Sequence, residues 1–269
     1  IDEVQYAPEL LTYIKIHIDE HHNPGDFWLT GSQIFRLMQG VQESLVGRVA
    51  LLHMSPLSQR EVTGADCIPF TTDFDILSEE SRKLKTVTTP EMFERLWNGC
   101  MPGFVSSGYA NRSAYYSSYL STYVERDVRE LSGTVDALKF IRFITAVAAR
   151  ASQLVNYKAM ADDADIDQLT AKSWLNILET LGIVFLLHPY SNNVLKRTVK
   201  TPKLYFYDTG LVCYLTRWSS PEVAESGAMS GALLENFAVS EIMKSYQNAG
   251  KEPYVHYYRD RDSKEIDVL

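Results

Sequence analysis

The chain has 269 residues, a length that suits two or three domains, and its apolar content of 45% is sufficient for a packed core. A net charge of −8 argues against a surface that is basic throughout, although it is compatible with a local basic face for nucleic acid. The cysteines Cys67, Cys100 and Cys213 lie far apart, which indicates neither a disulfide framework nor a zinc site. This cysteine pattern fits a reducing cytosol best, so we expect a cytoplasmic protein. Since no apolar run approaches the length of a membrane span, we expect no membrane partner.

The first 63 residues alternate between strand-like and helix-like segments. Ile1 has strand character and runs directly into Asp2 and Glu3, after which a helical apolar stripe extends from Leu10 to Ile18. The apolar segment at 27–30 predicts a second strand. Such alternation is typical of an α/β fold with a parallel sheet.

A strand that ends in two carboxylates suits phosphoryl transfer. Asp2 can hold a Mg²⁺-bound water, and Glu3 can polarise the water that attacks the γ-phosphate of ATP. Thr30, Ser32 and Gln33 follow the second strand, at the sheet edge where parallel α/β folds bind ligands, and could sense the γ-phosphate there. The alternative is a plain helix start, since the helix dipole favours acids at any helix N-terminus.

Arg48 is a candidate for neutralising charge in the transition state, as an arginine finger does. A structural salt bridge is the alternative. If Arg48 acts in trans, the protein must form a dimer or ring, whereas action in cis requires only a monomer.

Residues 64–135 predict a linker followed by a helical lid. The aromatic stretch "YYSSYLSTYVERDVREL" is interpreted as helix packing. Arg126 could reach a nucleotide from the lid, or it could form an ion pair within its own helix.

Residues 136–208 predict a winged helix, because three helical segments precede a hairpin that turns at "YSNN". Asp167 is the predicted cap of one helix. The predicted core face of that helix comprises Leu169, Trp174, Leu175 and Leu178.

The predicted hairpin carries a basic cluster in an otherwise acidic chain, formed by Lys196, Arg197, Lys200 and Lys203. This cluster is either a DNA-contacting wing or a solvated one. Next to it, Asp208 and Thr209 predict a turn that caps the following helix. The last section, 209–269, contains an amphipathic helix with a glycine cap and a hairpin that turns at "DRDSK".

Several long motifs carry a family resemblance. "IDEVQYAPELLTYIKIHID", "WLTGSQIFRLMQGVQESLVGRVALLHMSPLSQRE", "KTPKLYFYDTGLVCYL", "GALLENFAVSEI" and "YYRDRDSKEIDVL" resemble prokaryotic AAA-type ATPases that carry a C-terminal DUF4143 domain. The resemblance extends along essentially the whole chain. It implies ATP and Mg²⁺ as cofactors and matches Asp2 and Glu3 to the Walker B acids.

The resemblance also implies a P-loop with the motif GxxxxGK[ST], which these residues do not contain. Gly31 and Ser32 are no substitute, because no Gly-Lys-Ser/Thr follows them. We therefore interpret the chain as a fragment that begins after the P-loop. Without the P-loop amides and lysine, we expect it to bind ATP poorly.

The DUF4143 region is similar in pattern to PD-(D/E)xK nucleases, whose acids bind Mg²⁺ and whose lysine assists the attacking water. Glu235 and Asp267 match the first two acids of that pattern, and Glu265 would share the strand face of Asp267. The chain ends before any acid-x-Lys motif. Either this is a nuclease site, or it is a degenerate nuclease-like fold used for contacts.

The predicted fold class is therefore α/β, followed by helical and mixed segments. Its segments are the C-terminal part of an AAA-type parallel sheet (1–63), a linker and lid (64–135), a winged helix (136–208) and a nuclease-like α+β domain (209–269). Three functions follow from it: a nucleotide-switched ATPase, a DNA-binding module and an interaction scaffold without activity.

Overall fold

Helices provide most of the regular structure in the computed structural model, which describes residues 1–31, 45–124, 136–190, 201–260 and 264–269. The helices are α1 (Leu10–His21), α2 (Gln59–Thr63), α3 (Phe74–Lys83), α4 (Thr89–Asn98), α5 (Pro102–Ser106), α6 (Arg112–Ser118), α7 (Ala137–Ala148), α8 (Tyr157–Ala164), α9 (Gln168–Thr180), α10 (Thr209–Leu215), α11 (Pro221–Ser226) and α12 (Ser230–Asn248). A 3₁₀ turn at Val4–Tyr6 precedes α1, and a π-helix at Tyr119–Val124 extends α6.

Two small antiparallel sheets accompany the helices. Strand β1 (Val184–Leu187) pairs with β2 (Lys203–Phe206), and β3 (Tyr258–Arg259) pairs with β4 (Glu265–Ile266). The second pair forms the hairpin that the turn residues at 260–264 predict. Mixed α and β structure was expected, but the described part of the chain is richer in helix than an α/β sheet fold implies.

Helices α7, α8 and α9 precede the β1–β2 pair in the chain. A short extended segment between α7 and α8 joins the same sheet, because Ser152 N–H donates to Leu204 O at 2.7 Å and Leu204 N–H donates to Gln153 O at 2.9 Å. These hydrogen bonds to β2 are a second set, in addition to those that pair β2 with β1. The order along the chain is thus helix, extended segment, two helices and two antiparallel strands.

Helix α9 begins where its sequence predicts. Asp167 caps it by accepting hydrogen bonds from Leu169 N–H and Thr170 N–H, both at 2.9 Å. Trp174, Leu175 and Leu178 are buried as expected. The prediction that Leu169 belongs to the core is wrong, because this residue is in the first turn and its side chain is 80% exposed.

The main hydrophobic core extends from α4 to α12 without interruption. It includes Phe93 and Phe104 from the first helices of this region, Phe140 from α7, Phe206 from β2 and Leu233 from α12. Three of the four predicted segments therefore contribute to one core. A second cluster covers the other face of β1–β2 and is formed by Phe185, Leu187, Tyr205, Tyr207, Val239 and Tyr257.

The N-terminal residues form a third cluster around α1, in which Val4, Leu11, Ile14 and Leu45 are buried. The chain then passes along α12 through residues 55–61. Lys244 Nζ donates to Leu57 O at 3.0 Å, and Glu241 accepts from Gln59 N–H at 2.7 Å. Polar contacts thus connect the end of the AAA-like segment to the last helix.

A membrane span requires a helix that is both long and apolar. None of the described helices meets the two requirements, so none could cross a bilayer.

Candidate functional site

The backbone of Ile1 runs parallel to that of Leu29. The Ile1 amino group donates to Trp28 O at 2.7 Å, and Thr30 N–H donates to Ile1 O at 2.9 Å. Hydrogen bonds that reach both sides of Leu29 are the pattern of a parallel pair. Helix α1 connects the two segments, so this short unit has β-α-β connectivity although it is too short to count as a regular sheet.

Asp2 and Thr30 meet where these two segments end. The hydroxyl Oγ1 of Thr30 donates a hydrogen bond to Asp2 Oδ1, across 28 positions of sequence. Val4 N–H then donates to Thr30 O at 3.0 Å, which holds the 3₁₀ turn against the end of the second segment. The sequence predicted that both residues follow strands at one edge, and the structure brings their side chains into contact.

Glu3 has an unusual backbone. Its φ of 50° and ψ of 45° lie in the left-handed region, which costs a residue with a side chain about 1 kcal/mol. This conformation turns the chain out of the extended segment directly after Asp2 and into the 3₁₀ turn. Strained residues of this kind are concentrated at functional sites, so Glu3 is a reasonable candidate for a positioned side chain.

Arg48 is bound elsewhere. Its guanidinium forms a two-point ion pair with Asp19, with Nε 2.5 Å from Oδ1 and Nη2 3.2 Å from Oδ2. The hydrogen bond from Arg48 holds the pKa of Asp19 below its usual value. Asp19 lies in the last turn of α1, so Arg48 takes the structural salt bridge that the sequence left open and is not paired with Asp2. Ser32, Gln33 and Arg126 lie outside the described residues.

The Asp2–Thr30 pair suits magnesium and nucleotide chemically. A carboxylate beside a hydroxyl is the hard oxygen donor set that Mg²⁺ prefers, and Asp2 is exposed to solvent. Asp2 would hold the ion through a water molecule. The phosphate cradle would have to come from a P-loop, which these 269 residues do not contain.

A second polar cluster lies between β2, α12 and β4. Lys203 Nζ lies 2.7 Å from Glu235 Oε1, 2.5 Å from Glu265 Oε1 and 2.9 Å from Asp267 Oδ1. Tyr205 donates its hydroxyl proton to Glu235 at 2.6 Å. The two predicted nuclease-like acids, Glu235 and Asp267, are therefore neighbours, and Glu265 joins them as its shared strand face suggested.

Lys203 is the residue whose surroundings differ most from the sequence interpretation. It was grouped with the basic hairpin residues, yet its side chain is only 5% exposed and its ammonium faces three carboxylates. This arrangement does not favour contact with DNA by Lys203. One signal in the sequence could have indicated this: Lys203 stands two residues before Tyr205 in an otherwise apolar strand, so the two side chains share one strand face. Lys196, Arg197 and Lys200 lie outside the described residues.

The "YDTGL" motif forms a buried junction. Asp208 caps α10 by accepting from Leu211 N–H at 2.7 Å, as predicted, and it also accepts from Cys100 N–H at 2.6 Å. Thr209 donates its hydroxyl proton to Leu96 O at 2.8 Å. The motif therefore joins the start of α10 to the end of α4, which is a structural role.

Three regions of the chain match models of protein families. Residues 1–63 match an AAA domain, residues 89–222 match the domain of unknown function DUF8612, and residues 230–269 match the domain of unknown function DUF4143. The AAA and DUF4143 matches, in this order, confirm the resemblance to AAA-type ATPases with a C-terminal DUF4143 domain. The DUF8612 match covers most of the region predicted as lid and winged helix (64–208) and extends to residue 222 in the last predicted segment.

Two curated proteins are similar to the whole chain. They are uncharacterised proteins of Mycobacterium bovis and Mycobacterium tuberculosis, each 27% identical over 270 residues. The alignments cover 100% of this chain and 54% of each relative, so the chain spans about half the length of the curated relatives that it matches. No solved structure matches the chain.

Proposed function

We propose that this chain supplies the Walker B end and the neighbouring strand of an AAA-type ATPase that hydrolyses ATP with Mg²⁺. The observation that carries the proposal is the hydrogen bond between Thr30 and Asp2 at the ends of two parallel segments joined by α1. The AAA-domain match over residues 1–63 supports the same assignment. The P-loop would come from sequence ahead of Ile1.

In this proposal each residue has a separate task. Asp2 would hold Mg²⁺ through a water molecule, and Thr30 orients the Asp2 carboxylate through its hydroxyl. Glu3 accepts a proton from the water that attacks the γ-phosphate, with its direction set by the left-handed backbone. Bound Mg²⁺ would neutralise charge on the phosphates. Ser32 would contact the γ-phosphate.

Arg48 has a conditional role in this mechanism. Its ion pair with Asp19 holds the guanidinium at the last turn of α1. To act as an arginine finger in cis, Arg48 would have to leave this ion pair, and to act in trans it would have to reach the nucleotide site of a neighbouring subunit. A homo-oligomer is therefore proposed only for the case in which Arg48 acts in trans.

The proposal is tested by Mg²⁺-dependent ATP turnover in a protein that includes a P-loop ahead of Ile1. Glu3→Gln should keep ATP binding and lower turnover by about 100-fold or more, because removal of a general base typically costs this much. Glu20→Gln, an exposed change in α1, is the matched control and should behave as wild type. Hydrolysis by Glu3→Gln at the wild-type rate would contradict the proposal.

We infer a second function, DNA binding, from one specific arrangement. Helices α7, α8 and α9, the extended segment at 152–155 and the β1–β2 pair follow the chain order of a winged helix, which supports a DNA-binding use of the intervening hairpin. In the sequence, the segment between β1 and β2 contains the basic residues Lys196, Arg197 and Lys200 of the predicted hairpin. Coupling of nucleotide state to this region would make ATP turnover respond to DNA.

The DNA proposal is tested by duplex binding at several salt concentrations. Neutralising Lys196, Arg197 and Lys200 should weaken binding and reduce the slope of log affinity against log salt by about one unit for each phosphate that the protein no longer neutralises. Lys251→Met serves as the matched control. An unchanged slope would exclude the hairpin as the DNA-binding element, and the absence of both turnover and DNA binding would favour a scaffold.

A further inference from the structure

Lys203 uses all its hydrogen-bonding capacity within one cluster. An ammonium group has three N–H donors, and three carboxylates, from Glu235, Glu265 and Asp267, lie within 2.9 Å of Nζ. Each carboxylate contributes one oxygen. The positive group is therefore coordinated by acids from two separate elements, α12 and the β4 end of the hairpin, while it is itself part of β2.

The position of Glu235 is set by its neighbour in sequence. The side chain of Asn236 accepts from Phe206 N–H and donates to Phe206 O, both at 2.8 Å, and it is fully buried. This pair of bonds fixes α12 beside β2. As a result Glu235 receives hydrogen bonds from Lys203 and from Tyr205 on the same strand face.

The electrostatics of the cluster favour a permanently charged lysine. Burial would by itself lower the pKa of Lys203, but the hydrogen bonds to Glu235, Glu265 and Asp267 outweigh burial and raise the pKa above its usual value. Arg259 Nη1 lies 3.7 Å from the second carboxylate oxygen of Glu265 and adds further positive charge. A buried ion pair of this kind is stable only when its partners are well satisfied.

These contacts do not fit a divalent ion at the same place. Mg²⁺ needs carboxylate or water oxygens at about 2.0–2.1 Å in octahedral geometry, and the oxygens that converge here are bound to an ammonium group instead. In the described part of the chain, no group of three or more acidic, histidine or cysteine side chains is arranged to hold a metal.

We infer that Lys203 is the resident cation of this carboxylate cluster, in the place where the nuclease-like pattern would bind a divalent metal. The cluster then joins β2 to α12 and to the β3–β4 hairpin as an internal lock. It is not a metal-dependent nuclease centre.

A Mn²⁺ titration followed by electron paramagnetic resonance, without nucleotide, tests the inference on the full chain. Lys203→Met should bind Mn²⁺ about tenfold or more tightly than wild type, because three carboxylates lose their cation. Lys251→Met is the control lysine change and should match wild type. The gain should disappear when Asp267→Asn is added to Lys203→Met.

Wild type and Asp267→Asn decide the question even if Lys203→Met does not fold, since the Asp267 side chain is 54% exposed. The inference requires these two proteins to bind Mn²⁺ equally, and each of them to have the same thermal stability in Mg²⁺ as in EDTA. Wild-type Mn²⁺ binding that Asp267→Asn weakens about tenfold or more would overturn it, as would a folded Lys203→Met without any gain.

Discussion

The hydroxyl of Tyr116 lies 2.9 Å from Oδ1 of Asp208, joining α6 to the start of α10 in the interior of the molecule. Burial, reinforced by the Asp208 charge, raises the pKa of Tyr116. Tyr116→Phe should therefore lower the free energy of unfolding by about 1.5–3 kcal/mol, the usual effect of removing one hydrogen bond to a charged group.

Urea denaturation measures this cost, with the exposed change Tyr254→Phe as control. A Tyr116→Phe protein as stable as that control would show that the Tyr116 hydroxyl does not contribute to the free energy of unfolding.

Lys244 connects α12 to the end of the AAA-like segment, residues 1–63. Its side chain is 2% exposed, and its ammonium donates to Leu57 O at 3.0 Å and pairs with Glu241 at 2.6 Å. Lys244→Met should lower the free energy of unfolding by about 3 kcal/mol, because it leaves a partly buried carboxylate without its partner. Lys251→Met should change it little. Equal midpoints of guanidinium unfolding for the two variants would refute the prediction.

The three cysteines should differ sharply in reactivity. Burial raises the pKa of the Cys100 and Cys213 thiols to about 12, whereas Cys67 is exposed. Since the thiolate is the reactive form, a thiol reagent at neutral pH should label Cys67 alone in the folded protein and all three after unfolding. Peptide mapping identifies the labelled sites. Rapid modification of Cys100 in the native state would contradict this burial.

Glu61 should make stability depend on acid pH. Burial would raise the pKa of its carboxyl, but hydrogen bonds from Ser58 and from the Asn248 amide outweigh burial and lower it. Because the folded-state pKa is depressed, the stabilisation is present above the unfolded pKa of about 4.3 and is lost as pH falls through the folded-state value.

The stability difference between wild type and Glu61→Gln should therefore be constant above about pH 5 and shrink on acidification. Urea unfolding at several pH values measures it. A difference that grows towards low pH would have the wrong sign.

Local features of the fold could be predicted because their causes lie within a few residues. The cap of α9 by Asp167 and the end of α12 near Gly250 both follow from short-range hydrogen bonding. The prediction that Leu169 lies in the core is wrong because helical spacing identifies the apolar face of a helix but does not show whether a neighbouring helix covers its first turn.

The candidate sites depend on contacts that sequence spacing does not reveal. The sequence predicts Asp2 and Thr30 at the ends of two strands, whereas the hydrogen bond between them is seen only in the structure. Lys203 meets Glu235 across 32 positions and Asp267 across 64, and only the packing of α12 on β2 brings them together. The ion pair between Arg48 and Asp19 likewise depends on the fold of the N-terminal segment, because the two residues are 29 positions apart in the sequence.

The hydrogen bond between Thr30 and Asp2 is tested most directly by ATP turnover of Thr30→Val beside Thr30→Ser, in a protein that carries a P-loop. Thr30→Ser keeps the hydroxyl and should retain turnover near wild type. Thr30→Val should lower turnover by about tenfold, equivalent to the removal of one hydrogen bond. Equal turnover by the two variants would contradict the assignment of this pair to the nucleotide site.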